Sequence, residues 1–193
     1  MGHGALEQAQ KNQLVVRNVS EACSLPGEMR KEMKPLTLDQ VRALLAAIKE
    51  DRLYPAILLE VNTGLRRGEL LGLRWQDADL QAGLLHVRQT LTRIGHQAGD
   101  RKTRLVFQEP KTPQSRRTIP LSESLAEELK RHKARQAQEK LLLGQAYQDH
   151  GLVFCQVDGR PIDPRNFTRQ FDRMLEEAGL PHIRFHDARH TFA

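Results

Sequence analysis

The hydrophobic period of this chain changes twice, and those two changes restrict its fold more than any other feature. Apolar residues recur at helical spacing from Thr37 to Leu73, alternate in short runs from Leu84 to Leu121, and return to helical spacing after Ser122. The first helical stretch opens on Thr37-Leu38-Asp39-Gln40, whose first and last side chains can satisfy each other's backbone donors as a capping box. Val41, Leu44, Leu45 and Ile48 follow on one face. Pro55 opens a second helix with Gly64 placed to cap its end, and a short helical turn is expected over Glu69–Leu73. "LLHVRQT", "TRLVFQ" and "RRTIPL" then read as three short strands in succession, which suggests a small antiparallel meander. Ser122 caps a long polar helix that Gly144 stops. Asp163-Pro164 starts another, whose Phe167, Phe171, Met174, Leu175 and Ala178 form a core stripe. A last helix starts near His186. The fold class is therefore α+β, mostly helical, with a small three-stranded antiparallel sheet.

Residues 1–34 are polar and mixed. "LVVRNVSEACSLP" predicts a short helix stopped at Pro26, and a charged run over Glu28–Lys34 follows. This stretch reads as the tail of a preceding module and a linker, with the main domain over 35–193. No apolar run has the length of a membrane span, and Met1–Gln10 lacks the charged-then-apolar layout of a signal peptide. The two cysteines, Cys23 and Cys155, have no short spacing and suggest neither a disulfide framework nor a zinc knuckle. A cytoplasmic address is the expectation. Thirty Lys and Arg against 24 acids give a formal charge of +6, the electrostatic footprint of a nucleic-acid binder as well as of many proteins with a solvated basic face.

Three segments concentrate side chains that carry chemistry. "NTGLRRGELLGLRW" places Arg66 just past a glycine cap, with Glu69 one turn on and Leu65, Leu70, Leu71 and Leu73 available to plug the segment into the core. An arginine on such a platform suits bidentate recognition of an oxyanion, and it also suits a structural Arg–Glu pair. "PKTPQSRRTIPL" puts Lys111 at the tip of a strand–turn–strand, where an ammonium can protonate a leaving oxygen, neutralise a phosphate or simply stand in water. "FHDARHTFA" spaces His186 and Arg189 for one helix face, a pairing suited to a phosphoryl group and a proton beside it. His186 and His190 also imitate the H-E-x-x-H pattern of zinc peptidases, but Asp187 replaces the glutamate and no third ligand is evident.

In this order and spacing, "TGLRRGELLGLRW", "PKTPQSRRTIPL" and "HDARHTFA" resemble the catalytic domain of the tyrosine recombinases, the phage-integrase family, over Pro35 to Ala193. The resemblance implies site-specific strand exchange on double-stranded DNA through a 3′-phosphotyrosyl intermediate, with no cofactor and no metal. It implies catalytic roles for Arg66, Lys111, His186 and Arg189 and supporting roles for Glu69 and His190. Arg67, Arg116, Arg165 and Arg169 are the expected DNA contacts, while Arg74, like Arg67, has no catalytic counterpart. Other recombinase protomers on DNA are the expected protein partners, with a monomer off DNA. Family members carry their nucleophilic tyrosine beyond H-x-x-R, so the catalytic domain reads as cut off before it. Tyr54 and Tyr147 lie outside the motifs. A non-catalytic DNA-binding module and, more remotely, a zinc metallopeptidase are the competing classes.

Overall fold

The computed structural model of the chain describes residues 2–22, 35–95, 103–109 and 116–188. They belong to two units, Met1–Met33 and Lys34–Ala193. In the first unit the helix lies earlier than the sequence suggests. Helix α1 spans Gly2–Lys11, and the segment expected to be helical instead holds a 3-10 turn at Val19–Ala22. Asn18 starts that turn by accepting from both the backbone and the hydroxyl of Ser20, the local competition with an α-helix that short polar side chains offer.

The second unit begins as its capping signals dictate. Thr37 and Gln40 close the expected box at the start of α2 (Leu38–Ala47), with Thr37 N–H donating to Gln40 Oε1 at 2.9 Å. Helix α3 (Tyr54–Thr63) carries Pro55 in its first turn and ends at Gly64, whose φ of 58° and ψ of 34° place it in the left-handed region. Helix α4 is a single short element, Arg67–Leu71, starting two residues before the expected turn.

The strand region keeps its antiparallel character but pairs differently from a sequential meander. Strand β1 (Ala78–Asp79) adds to β2 (Leu84–Val87), and β2 pairs with β5 (Arg117–Pro120), giving the three-stranded sheet. The expected middle strand, β4 (Arg104–Gln108), instead pairs with β3 (Thr90–Ile94) in a separate two-stranded ribbon. The "LLHVRQT" run therefore breaks at Arg88-Gln89 into two strands. At the break, Gln89 Nε2 donates to the Gly72 carbonyl at 2.8 Å, which turns the chain onto α4. Pro120, with no N–H, sits in β5 at the sheet edge, where a missing donor is tolerated.

Ser122 caps α5 (Glu123–Leu143), and Asp163 caps α6 (Pro164–Glu177) by accepting from Arg165 N–H at 2.7 Å. The α6 stripe is core as expected, with Phe167, Phe171, Met174 and Leu175 buried. Helix α7 (Phe185–Ala188) is fastened by Phe185, which meets Phe167 and Phe171 edge-on with ring centroids 5.1 Å apart in both pairs. A buried polar network joins α5 to the segment after it. Gln136 accepts from Trp75 Nε1 at 2.6 Å, donates to the Leu152 and Val153 carbonyls, and touches Cys155 Sγ. No helix among the described residues is long and apolar enough to cross a membrane.

Candidate active site

Arg66 owes its position to what lies on either side of it. Gly64 ends α3, Leu65 is fully buried, and Arg66 is the extended N-cap residue of α4 at φ −68° and ψ 146°. A guanidinium has no acceptor, so Arg66 cannot cap the helix through its own side chain. Glu69 supplies the contact instead, accepting Arg66 N–H on Oε2 and Arg66 NH1 on Oε1, both at 2.9 Å. Leu70 and Leu71 are fully buried and Leu73 nearly so, which plugs the platform into the core as the sequence implies. The Arg66 side chain stays 54% exposed while the Glu69 side chain is 5% exposed.

A third member joins this pair. Arg117 on β5 grips the same carboxylate with a two-pronged fork, NH1 to Oε1 at 3.1 Å and NH2 to Oε2 at 2.9 Å. Burial pushes the Glu69 carboxyl up, but the Arg117 hydrogen bonds, with those of the Arg66 backbone and side chain, outweigh it and hold the group below its ordinary value. Sequence reasoning misses Arg117 and names its neighbour Arg116. A signal for it exists in the alternation of "RRTIP", where Arg117 shares the inward face of β5 with Ile119 and Arg116 does not.

The glycines of the segment serve approach. A Cβ on Gly68 would lie 2.4 Å from Thr90 Oγ1 and 2.9 Å from the Leu91 carbonyl oxygen. One on Gly72 would lie 3.0 Å from backbone atoms of Gly68, Thr90 and Leu91. Only bare backbone lets α4 sit this close to β3.

His186 follows the buried Phe185 and is exposed, so the aromatic anchor aims it outward. It lines one cavity with Leu65, Arg67, Gly68 and Thr168, which brings it beside the residues that flank Arg66. Arg184, two residues earlier, forks onto Asp187 at 2.8 and 3.1 Å and ties the ends of this turn together. Lys111, Arg189 and His190 lie outside the described residues. Among the described residues no three His, Cys, Asp or Glu side chains gather as metal ligands.

The expected DNA contacts fall in two places. Arg67 reaches Thr168 Oγ1 on α6 at 2.6 Å, and Arg165 and Arg169 are exposed on that helix. Arg116 pairs with Glu109 and lines a depression together with Arg74, Arg88 and Arg117. In that depression Arg74 is held by the buried Asp77 at 2.7 Å. Neither tyrosine stands among these groups. Tyr147 packs against Cys155 Sγ at 3.6 Å, and burial followed by that sulfur contact pushes its phenol well up.

A family model described as "Phage integrase family" matches residues 34–193. The chain belongs to that family. This phage-integrase chain is 37% identical to a "Tyrosine recombinase XerC-like" protein of Caldanaerobacter subterraneus subsp. tengcongensis, over 84% of its own length and 43% of the relative's. It is 32% identical to an "Integrase" of Streptomyces ambofaciens, over 90% of its length and 44% of that protein's. It thus spans less than half the length of these curated relatives. Its fold matches that of the Tn1549 transposon integrase solved with transposon right-end DNA, at a TM-score of 0.76 and 23% identity, covering 98% of this chain and 62% of that one. The mostly helical fold with a small antiparallel sheet is the tyrosine-recombinase catalytic fold.

Proposed function

We propose that the chain carries the catalytic domain of a site-specific DNA recombinase that cuts and rejoins strands through a 3′-phosphotyrosyl intermediate. The observation that carries this reading is Arg66, fixed at a helix start by a buried carboxylate while its side chain remains half exposed, with its chain neighbours Leu65 and Arg67 lining the cavity that His186 also lines. A guanidinium whose inner edge is already oriented needs no reorganisation when a scissile phosphate arrives. Arg66 and Arg189 hold the non-bridging oxygens as negative charge builds. His186 hydrogen-bonds the phosphate and assists the proton leaving the nucleophile. Lys111 delivers a proton to the departing 5′ oxygen, so the broken P–O bond leaves a 5′ hydroxyl and the new bond joins phosphorus to a tyrosine oxygen. Neither Tyr54 nor Tyr147 is that tyrosine. Removing one oriented donor costs about 3 kcal/mol of transition-state stabilisation.

Arg67, Arg165 and Arg169 around α6, with Arg74, Arg88 and Arg116 at the sheet, are the DNA-backbone contacts in this reading. The partners are duplex DNA and further protomers assembled on it, with a monomer off DNA, in the cytoplasm of a cell carrying a mobile element. The Tn1549 integrase and a lambda integrase dimer, the latter with a TM-score of 0.57 and 19% identity, were both solved on DNA, which supports duplex DNA as the substrate class. The test is a nicked suicide duplex bearing the attachment site, incubated with full-length protein and resolved on a denaturing gel. A covalent adduct lost in R66A supports the reading. An adduct on Tyr54 or Tyr147 overturns the assignment of the site, and DNA binding with no adduct favours a non-catalytic DNA-binding module.

A further inference from the structure

Glu69 is a small hub with its acceptor capacity taken up. Oε1 accepts from Arg66 NH1 and Arg117 NH1, and Oε2 accepts from Arg66 N–H and Arg117 NH2. Arg117 holds the fork position, touching both oxygens, so the Arg66 side chain reaches the carboxylate through one nitrogen only. Two guanidiniums on one carboxylate leave a net single positive charge. The Arg66 side chain is 54% exposed and that of Arg117 29%, so Arg66 is the one that shows this charge to an approaching anion.

Removing Arg117 changes this arithmetic. A buried carboxylate would lose two charge-assisted donors, and the remaining Arg66 guanidinium nitrogens are on the adjacent N-cap residue. Arg66 would then close onto Glu69 in a fork of its own, becoming neutralised and turned inward. We infer that Arg117 is a positioning residue for Arg66: by filling the fork of Glu69 it leaves the outer edge and the charge of Arg66 for a phosphate. This inference rests on the recombinase reading for what the phosphate is, but the geometry applies to any phosphate ligand of Arg66.

The experiment follows the Nε–Hε signal of Arg66 by NMR in the 193-residue chain during titration with inorganic phosphate, the signal being identified by its loss in R66K. In the wild type it shifts with phosphate. In R117Q it already has the position of a carboxylate-paired guanidinium and responds at least about tenfold more weakly, the scale of one lost charge-assisted fork. In E69Q/R117Q, where no carboxylate remains to capture Arg66, the response returns. A residue that merely braced the fold would not show this recovery. R117K, which keeps a charge but cannot fork, lies between wild type and R117Q and serves if R117Q does not fold. An unchanged phosphate response in R117Q or R117K, or no recovery in a folded E69Q/R117Q protein, overturns the inference while leaving the recombinase reading intact. A wild-type Arg66 that ignores phosphate sinks both.

Discussion

Arg117 and Glu69 lie 48 residues apart in the chain and meet through two hydrogen bonds of 3.1 and 2.9 Å, joining the edge strand β5 to the start of α4. The pairing makes the helix start that carries Arg66 depend on a strand from the other side of the expected lysine hairpin. It also makes Glu69 an acid-sensitive point. Its folded carboxyl titrates below its ordinary value, so the stability it contributes is fully present above the unfolded pKa of about 4.3 and is lost as pH falls through the lower folded value. Urea midpoints measured from neutral to acid pH should therefore drop less steeply below about pH 4.5 in E69Q than in wild type. At neutral pH, E69Q should cost about 3 kcal/mol, because it leaves two guanidiniums without their shared carboxylate. Parallel pH profiles would mean that Glu69 carries no special share of acid stability.

The close approach of α4 to β3 should be visible in a pair of small substitutions. G68A places a methyl group 2.4 Å from Thr90 Oγ1 and 2.9 Å from the Leu91 carbonyl oxygen. The expected loss is about 1–3 kcal/mol, the usual penalty for overpacking. T90A removes the first clash but not the second, so the double variant should recover part of the loss and not all of it. Urea denaturation of the three variants measures this. Full recovery would show that the backbone of β3 can give way, and no loss in G68A would show that α4 is not pinned.

Trp75, the sole tryptophan, reports on the buried network around Gln136. Replacing Gln136 with methionine removes the acceptor for the indole N–H and the donor to the Leu152 carbonyl. The cost should be about 1–3 kcal/mol, the desolvation penalty of buried groups left unpaired. The tryptophan emission maximum should move at the same time. His132 gives this region a second sensitivity. Burial first, with nearby Arg135 and Arg52, outweighs the Val153 carbonyl and Glu139 and holds the imidazole below its ordinary value. The Val153 carbonyl accepts from Nε2, which leaves Nδ1 as the acceptor for Arg135 and fits a neutral ring. The unfolded chain therefore takes up a proton first as pH falls, and stability is lost from about pH 6.5 downward. H132Q should flatten that part of the wild-type profile, and an unaltered slope would show that His132 does not titrate in this range.

What is legible in the sequence follows from how local each signal is. The capping box of Thr37 and Gln40, with Pro55, Gly64, Ser122 and Asp163, announces helix ends because a cap is satisfied within four residues. The Phe167 stripe announces the core because helical spacing fixes a face. Strand pairing is not legible in the same way. Partners in a sheet are chosen by contacts distant in sequence, here Gln89 on Gly72 and the approach of Gly68 to Leu91, and these divide one apolar run into two strands. In the site, Arg66 and Glu69 can be read together because they are one turn apart. Arg117 cannot be paired with them, since nothing local says which carboxylate a strand arginine will meet.

Arg165 and Arg169 are one turn apart on the exposed side of α6, away from the buried Phe167 and Phe171, and neither forms an ion pair among the described residues. Arginines placed this way can give their charge to phosphates without first breaking an internal partner. Binding to a duplex of arbitrary sequence should weaken with rising salt, and each arginine–phosphate interaction taken away should reduce the slope of log K against log salt by about one. R165A/R169A should therefore lower the slope by about two while changing stability by no more than about 0.5 kcal/mol, as exposed substitutions do. The same measurement on R74A/R88A tests the depression at the sheet. There Arg74 already commits its charge to Asp77 at 2.7 Å, so its removal should lower the slope less and cost more stability. If the slope falls for R74A/R88A and not for R165A/R169A, the DNA runs across the sheet, and the α6 arginines are merely solvated.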